Sequence, residues 1–388
     1  MSDAGTDVLA MNGLGRALLL ALLVGLGIPY ALVIALNCSL GWPTSRPDRG
    51  RYLRALQPAR VRSLSYAAAE HVGGLLGYVP LYLRMRWFYS RASTITKDIE
   101  FGRNGNKLDL WRPSKVSAHD DGNKPVVVFV YGGAWSTGDK NLYGMLAQTL
   151  ADRLGALVCV PNYSTYPKGV VTDMTDDLED ALAWLKSSKL VRSLGGDPDR
   201  VALCGHSAGG HLAALLTIEL AGRASGEKKL KVKSSKESSG KAGTAKQLGL
   251  LSSVRAVVGI SGVYHIMDHY GHEARRGVED VSGMWRAMEG LGNFDQHSPG
   301  LRLASLDRRQ LARLPPFFLI HGTRDTVVPL SASLKFATAL GDCGVPVSMT
   351  IIQGGGHANL VVDMMEKGHP FHSEMVSLIE DKLTGPLR

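Results

Sequence analysis

The stretch Val201-Ala202-Leu203-Cys204-Gly205-His206-Ser207-Ala208-Gly209, with His211-Leu212-Ala213-Ala214-Leu215-Leu216 close behind it, decides how this chain is read. Four apolar residues without a polar break read as a buried strand, and the run after Gly209 reads as a helix. Strand, G-x-S-x-G, helix is the context of a nucleophile elbow. Its glycines keep side chains out of a turn so tight that Ser207 must sit strained and exposed. The Ser207 Oγ then projects above a sheet at a helix N-terminus, where the dipole favours a developing anion.

Such a serine needs a base to take its proton and a carboxylate to orient the base. Downstream, Pro315-Pro316-Phe317-Phe318-Leu319-Ile320 reads as a strand running into His321-Gly322-Thr323-Arg324-Asp325. Asp325 is thereby placed just past a strand's C-terminal end, where open parallel sheets carry functional groups. An amphipathic helix from about Leu330 to Leu340 and a strand, Val347–Ile352, lead to Gly354-Gly355-Gly356-His357. The order Ser207, Asp325, His357, with a strand leading into each, assigns nucleophile, acid and base. His321 is a rival base, but a residue that ends a strand caps or packs there. His206 and His211 flank the serine in sequence and point elsewhere, so packing or a supporting hydrogen bond is expected of both.

Upstream, Pro125–Val130 reads as another buried strand, and it runs into Tyr131-Gly132-Gly133-Ala134-Trp135. An oxyanion hole draws on the amide after the nucleophile and on amides of a loop after an earlier strand. The expected donors are therefore Gly132, Gly133 and Ala208. From about Thr94 onward the patterns alternate: edge strands at Ile95–Phe101 and Lys107–Trp111, a helix near Leu142–Leu154, the strand Leu157–Val160, a helix Thr172–Lys186, and a strand Val254–Ile260. Such alternation implies an α/β-hydrolase fold, a mostly parallel sheet with helices on both faces. Tyr264 to about Leu311 fits no strand and is a cap insertion. Its Met284, Trp285, Met288, Leu291 and Phe294 either roof an apolar site or form the buried face of a packed helix.

The net charge of +9 does not point to nucleic acid. Residues 223–247 form a Ser-, Gly- and Lys-rich insertion that holds eight basic and two acidic residues and supplies +6 of that charge. It is expected to be a disordered, solvated loop, with contact to an anionic membrane surface as the sharper alternative. Cys38, Cys159, Cys204 and Cys343 are widely spaced and imply no disulfide framework. No metal-ligand cluster and no dinucleotide fingerprint is present, so neither a metal nor a cofactor is expected.

Ala17 to Leu36 is a run of 20 residues without a charge, the length of a bilayer's hydrocarbon core. With Asp3, Asp7 and only Arg16 before it, the run reads as a retained anchor rather than a signal peptide. Arg46, Arg49, Arg51, Arg54, Arg60 and Arg62 follow it, which by the positive-inside rule faces the C-terminal side to the cytoplasm. A second apolar stretch, 72–83, is short for a span and reads as interfacial or re-entrant, touching lipid through Trp87, Phe88 and Tyr89. If it crosses, the topology inverts. The expected organisation is an anchor region, 1–92, and a catalytic domain, 93–388. The sequons at Asn37 and Asn162 are formal only, one abutting the bilayer and the other inside the fold.

Gly-Gly-Ala-Trp after a strand, G-x-S-A-G-x-H at the elbow, Gly195-Gly196-Asp197-Pro198-Asp199-Arg200 as a turn before it, and Arg313-Leu314-Pro315-Pro316-Phe317 together resemble the isoprenylcysteine methylesterases. These are membrane-anchored, hormone-sensitive-lipase-like α/β-hydrolases, and the likeness runs from about Arg84 to Asn359. It implies the same triad, Ser207, Asp325 and His357, and hydrolysis of the methyl ester on prenylated C-terminal cysteines of peptides or proteins. It also implies endoplasmic reticulum or Golgi membranes, with the catalytic domain on the cytoplasmic side. Trp135 is expected to line the pocket. Two departures stand out: Tyr131 occupies the place of a histidine, and Asn162-Tyr163-Ser164 that of Asp-Tyr-Arg, which suggests a discarded ion pair. A general lipid or xenobiotic carboxylesterase, a kynurenine-formamidase-like amidohydrolase and a non-catalytic binding protein are the alternatives.

Overall fold

The computed structural model describes residues 78–115, 123–223, 248–279 and 282–388, together with residues 15, 17, 20, 31, 35, 63 and 66. Among the described residues eight strands are formed: β1 Ile95–Phe101, β2 Asn106–Trp111, β3 Lys124–Val130, β4 Leu157–Pro161, β5 Gly196–His206, β6 Val254–Ile260, β7 Phe317–Gly322 and β8 Val347–Ile352. They make one sheet in the order β1-β2-β4-β3-β5-β6-β7-β8. β2 is antiparallel to β1 and β4, and every other pairing is parallel. The runs Val126–Val130 and Val201–Cys204 are at most 1% exposed. Strands this apolar on both faces require cover on both sides, which is what a doubly covered parallel sheet provides.

The longer helices of the domain are α1 Gly144–Leu154, α2 Val171–Ser187, α3 Ala208–Arg223, α4 Ile266–Arg276, α5 Leu330–Asp342 and α6 His372–Thr384. α3 is buried on nearly its whole circumference, as a helix apolar all round must be, and it packs on β5, β6 and α2. From β3 the chain steps outward to β4, then returns past β3 to β5. The strand order therefore reverses between β3 and β5, and a crevice opens at their C-terminal ends. The loop after β3 and the elbow after β5 meet there.

Several expectations change in detail. Gly196–Arg200 is not a free turn but the start of β5, pairing Lys124 with Gly196 and Pro125 with Asp197 before the register breaks. Among its described residues the cap holds α4 and short helices at Met284–Ala287, Pro299–Arg302 and Arg308–Leu311, and no strand. Met284, Met288 and Phe294 are fully buried, so they are packed within the domain rather than presented as an open roof. Arg223 belongs to α3, where it pairs with Glu179 at 2.7 Å; the remainder of the basic insertion, 224–247, lies outside the described residues.

Most of the 17–36 run and residues 72–77 also lie outside the described residues. Among the described residues no helix is long and apolar enough to cross a membrane. Residues 78–91 form a helix. Phe88 and Tyr89, expected to touch lipid, face the domain instead: Phe88 stacks on Trp111 at 5.8 Å, and Tyr89 donates to Asp109 Oδ2 at 2.9 Å. An aromatic surface opposite Trp111 offers the burial that drove this choice.

Candidate active site

Ser207 sits between β5 and α3 with φ +56°, a backbone conformation that a non-glycine residue adopts only when its surroundings impose it. They do so by close approach. A Cβ on Gly209 would lie 2.0 Å from the Val130 carbonyl oxygen, so only glycine lets the start of α3 descend onto the end of β3. The Ser207 amide donates to Ile260 O at 2.9 Å, which ties the elbow to β6. Ser207 is only 8% exposed, where the sequence led to an open position.

His357 comes to the serine on the loop after β8. Its Nδ1–H donates to Asp325 Oδ2 at 2.8 Å, which leaves Nε2 to accept from Ser207 Oγ at 3.0 Å. The acid thereby selects the tautomer that can act as a base. The Asp325 side chain is fully buried and that of His357 is 15% exposed. Burial alone would raise the Asp325 carboxyl, but hydrogen bonds from His321 and His357 and from the Val328 amide hold it well below the usual carboxylate range. The Val327 and Val328 amides donate to Asp325 Oδ1 at 2.9 and 2.8 Å.

The three neighbouring histidines support this line. His321 Nε2–H donates to Val328 O at 2.9 Å and lies 3.3 Å from Asp325 Oδ2, while its Nδ1 accepts from Ser333 Oγ at 2.7 Å. It braces the acid loop and does not reach the serine. His206 Nε2–H donates to the His357 carbonyl at 2.9 Å. Burial, then the adjacent His357, push its pKa down to about 3, so it stays neutral beside a protonated His357. His211 accepts from Trp135 Nε1–H at 3.1 Å and donates to His297 O at 2.7 Å.

Trp135 is therefore not a pocket wall. It is 1% exposed, hydrogen-bonded to His211, and edge-on to His211 and to the cap residue His269 at 5.2 and 6.3 Å. A buried indole needs a partner for its N–H, and His211 supplies it inside the core. Of the glycines before it, Gly132 lies against the nucleophile: a Cβ on it would be 2.9 Å from Ser207 Cβ. Gly133, Ala134 and Trp135 all have positive φ, at +140°, +50° and +58°. Such a run, which L residues rarely adopt, marks this turn as one imposed by its surroundings.

The sequence also missed what holds this loop. Asn162 Oδ1 accepts from Tyr131 Oη at 3.0 Å and from the Lys140 amide at 2.8 Å, and its Nδ2 donates to Asp139 Oδ2 at 3.0 Å. One side chain thus clasps both ends of the Tyr131–Lys140 loop. Lys140 is buried in turn and pairs with Asp98 and Asp109 at 2.9 and 2.8 Å. The two departures noted in the sequence, Tyr131 and Asn162, meet in a neutral hydrogen bond. The only sequence-level signal was that both departed together.

Fold and site together define an α/β-hydrolase carrying a Ser-His-Asp constellation suited to acyl transfer. The BD-FAE family profile matches residues 108–340. The chain is 30% identical over 325 residues to a probable isoprenylcysteine alpha-carbonyl methylesterase of Oryza sativa subsp. japonica, covering 83% of this chain and 71% of that protein. It belongs to the isoprenylcysteine alpha-carbonyl methylesterase family. A probable member from Arabidopsis thaliana is 31% identical over 308 residues, 79% of this chain, and the chain spans 59% of that protein's length. Among solved structures, a fungal esterase from Rhizomucor miehei shares the fold with a TM-score of 0.59 at 18% identity, over 85% of this chain and 97% of that one.

Proposed function

We propose that this chain is a serine carboxylesterase that hydrolyses the methyl ester of prenylated C-terminal cysteines. The observation that carries the chemistry is the unbroken line from Asp325 through His357 to Ser207 Oγ, at 2.8 and 3.0 Å. The methylesterase names of the relatives support the substrate. Ser207 Oγ attacks the ester carbonyl as its proton passes to His357 Nε2, and Asp325 stabilises the imidazolium. The oxyanion takes hydrogen bonds from the Ala208, Gly132 and Gly133 amides. Collapse breaks the bond to the methoxy oxygen, which leaves as methanol with the proton from His357. Water, deprotonated by His357, then attacks the acyl-enzyme and releases the carboxylate and a restored Ser207.

On the same reading, the 17–36 run anchors the chain in an internal membrane, endoplasmic reticulum or Golgi, with residues 93–388 on the cytoplasmic side. The arginines after the run support that orientation. The test is kcat/KM for farnesylcysteine methyl ester against cysteine methyl ester, with Ser207→Ala protein as the blank. A preference of about 100-fold or more supports a prenyl site, since that is about 2.7 kcal/mol in the transition state. Equal turnover abolished by the substitution leaves an esterase for another ester, and no turnover above the blank overturns the reading.

A further inference from the structure

The helix over residues 78–91 carries apolar side chains on two sides, and the domain uses only one. Leu81, Met85, Phe88 and Tyr89 turn inward against the core. Facing away, Tyr78, Val79, Tyr82, Leu83 and Trp87 are 38%, 47%, 48%, 60% and 60% exposed. Positions 79, 83 and 87 succeed one another at four-residue spacing and form one stripe, while Tyr78 and Tyr82 lie between that stripe and the inward face. Scattered exposed hydrophobics need no explanation, but a contiguous stripe of this kind marks an interaction surface.

The charges beside the stripe select its partner. Arg84, Arg86 and Arg91 are exposed on the same helix, and no acidic residue occurs from His71 to Lys97. Arg91 lies over the Trp87 ring at 5.3 Å. A second copy docking on the same face would set arginine against arginine. An anionic bilayer surface instead accepts the apolar stripe among its acyl chains and pairs the arginines with its headgroups. Trp and Tyr suit that depth, with one apolar and one polar edge. The helix also follows the uncharged 17–36 run in the same chain, and a tether of that kind keeps it near a membrane at high effective concentration.

We propose that the helix over 78–91 lies in the interface of an anionic membrane, with Val79, Leu83 and Trp87 buried in it and Arg86 and Arg91 on its headgroups. Its middle and its C-terminal turn are both bonded to the catalytic domain. Arg84 pairs at 2.8 Å with Glu366, in the segment that follows His357. Tyr89 Oη accepts from Lys140 Nζ at 3.0 Å, and Lys140 closes the Tyr131–Lys140 loop. Docking thus holds the catalytic domain against the lipid surface. The docking stands without the esterase reading; its benefit to a lipid-borne substrate rests on that reading.

The experiment uses the full chain with Cys38→Ser and Cys343→Ser, carrying an environment-sensitive fluorophore at Leu83→Cys, Trp87→Cys or the exposed control Leu334→Cys. Vesicles of phosphatidylcholine and phosphatidylglycerol with nitroxide-labelled acyl chains are added. Labels at 83 and 87 are expected to be quenched at least about threefold more than the label at 334, and less so on phosphatidylcholine alone. Equal quenching at all three positions, in protein that floats with the vesicles, overturns the proposal. A blue shift at 83 and 87 without vesicles that grows with protein concentration assigns the face to a second copy and also overturns it. In parallel, Trp87→Ala is expected to leave hydrolysis of a soluble short ester unchanged and to raise KM several-fold for a vesicle-borne prenylcysteine ester. Loss of the KM effect with site-specific quenching retained removes the benefit to lipid-borne substrate. Absence of soluble-ester activity in the parent protein counts against the esterase reading alone.

Discussion

Ser207 is approached from two sides, and the two are built differently. On the histidine side, every functional group is a side chain, and its partners are side chains or amides within a few residues of a strand end. On the oxyanion side, the functional groups are backbone amides, shaped by three consecutive positive φ values and held from a distance by Asn162. Side-chain chemistry leaves a readable letter at a fixed place in the chain. Backbone chemistry leaves only glycines, and its supports lie elsewhere in sequence.

The largest effect is expected on the histidine side. Ser207→Ala should lower kcat by roughly 10⁶-fold while leaving the thermal midpoint almost unchanged; a smaller loss would place the nucleophile elsewhere. Asp325→Asn should cost about 10⁴-fold in kcat, because the amide stabilises the wrong His357 tautomer. His321 cannot compensate, since its nitrogens are engaged with Val328 O and Ser333.

On the oxyanion side, Asn162→Ala should reduce kcat by at most about 10²–10³-fold, the cost of losing one oxyanion donor, with KM little changed. Tyr131→Phe removes one of the clasp's hydrogen bonds, worth about 1 kcal/mol, and should cost roughly tenfold or less. If Asn162→Ala instead raised KM at constant kcat, the clasp would serve binding rather than the oxyanion, and the contrast between the two sides would fail.

The smallest expected effect concerns the cap, which leans on both sides through His269 against Trp135 and through His272, whose Nε2–H donates to Thr326 O at 2.9 Å. Cap residue Glu273 accepts from Ser282 Oγ at 2.7 Å. Burial, opposed by that hydrogen bond and reinforced by Glu279, pushes its carboxyl up to about 8. Between its ordinary value near 4.5 and about 8, the unfolded chain releases a proton that the folded chain keeps. Stability therefore falls as pH rises through that window and levels off above it. Thermal midpoints measured from pH 5 to 8 should decline in the parent and flatten in Glu273→Gln. An unchanged slope would show that the cap's pH response resides in another group.

Much of the fold was legible because parallel strands buried on both faces write long apolar runs, as Val126–Val130 and Ala256–Ile260 do. Ser207, Asp325 and His357 were legible because each follows such a run and belongs to a residue type with its own chemistry. Trp135 was misplaced because a tryptophan beside a functional turn reads the same whether it faces a pocket or a core; only His211 across the domain settles it. The helix over 78–91 was misread at Phe88 and Tyr89 for a related reason. Both of its faces are apolar, so composition does not say which one meets Trp111.

The sequence by itself determined which residues could do chemistry here and that each would end a strand, because residue type and local periodicity are properties of short stretches. Only the tertiary structure decided that β3 and β5 lie side by side while β4 goes outward. That placement is a matter of long-range strand pairing. It brings Gly132 against Ser207 and sets Asn162 within reach of both Tyr131 and Lys140. No pattern within a few residues encodes those meetings, since they depend on which buried surfaces cover one another once the whole sheet has formed.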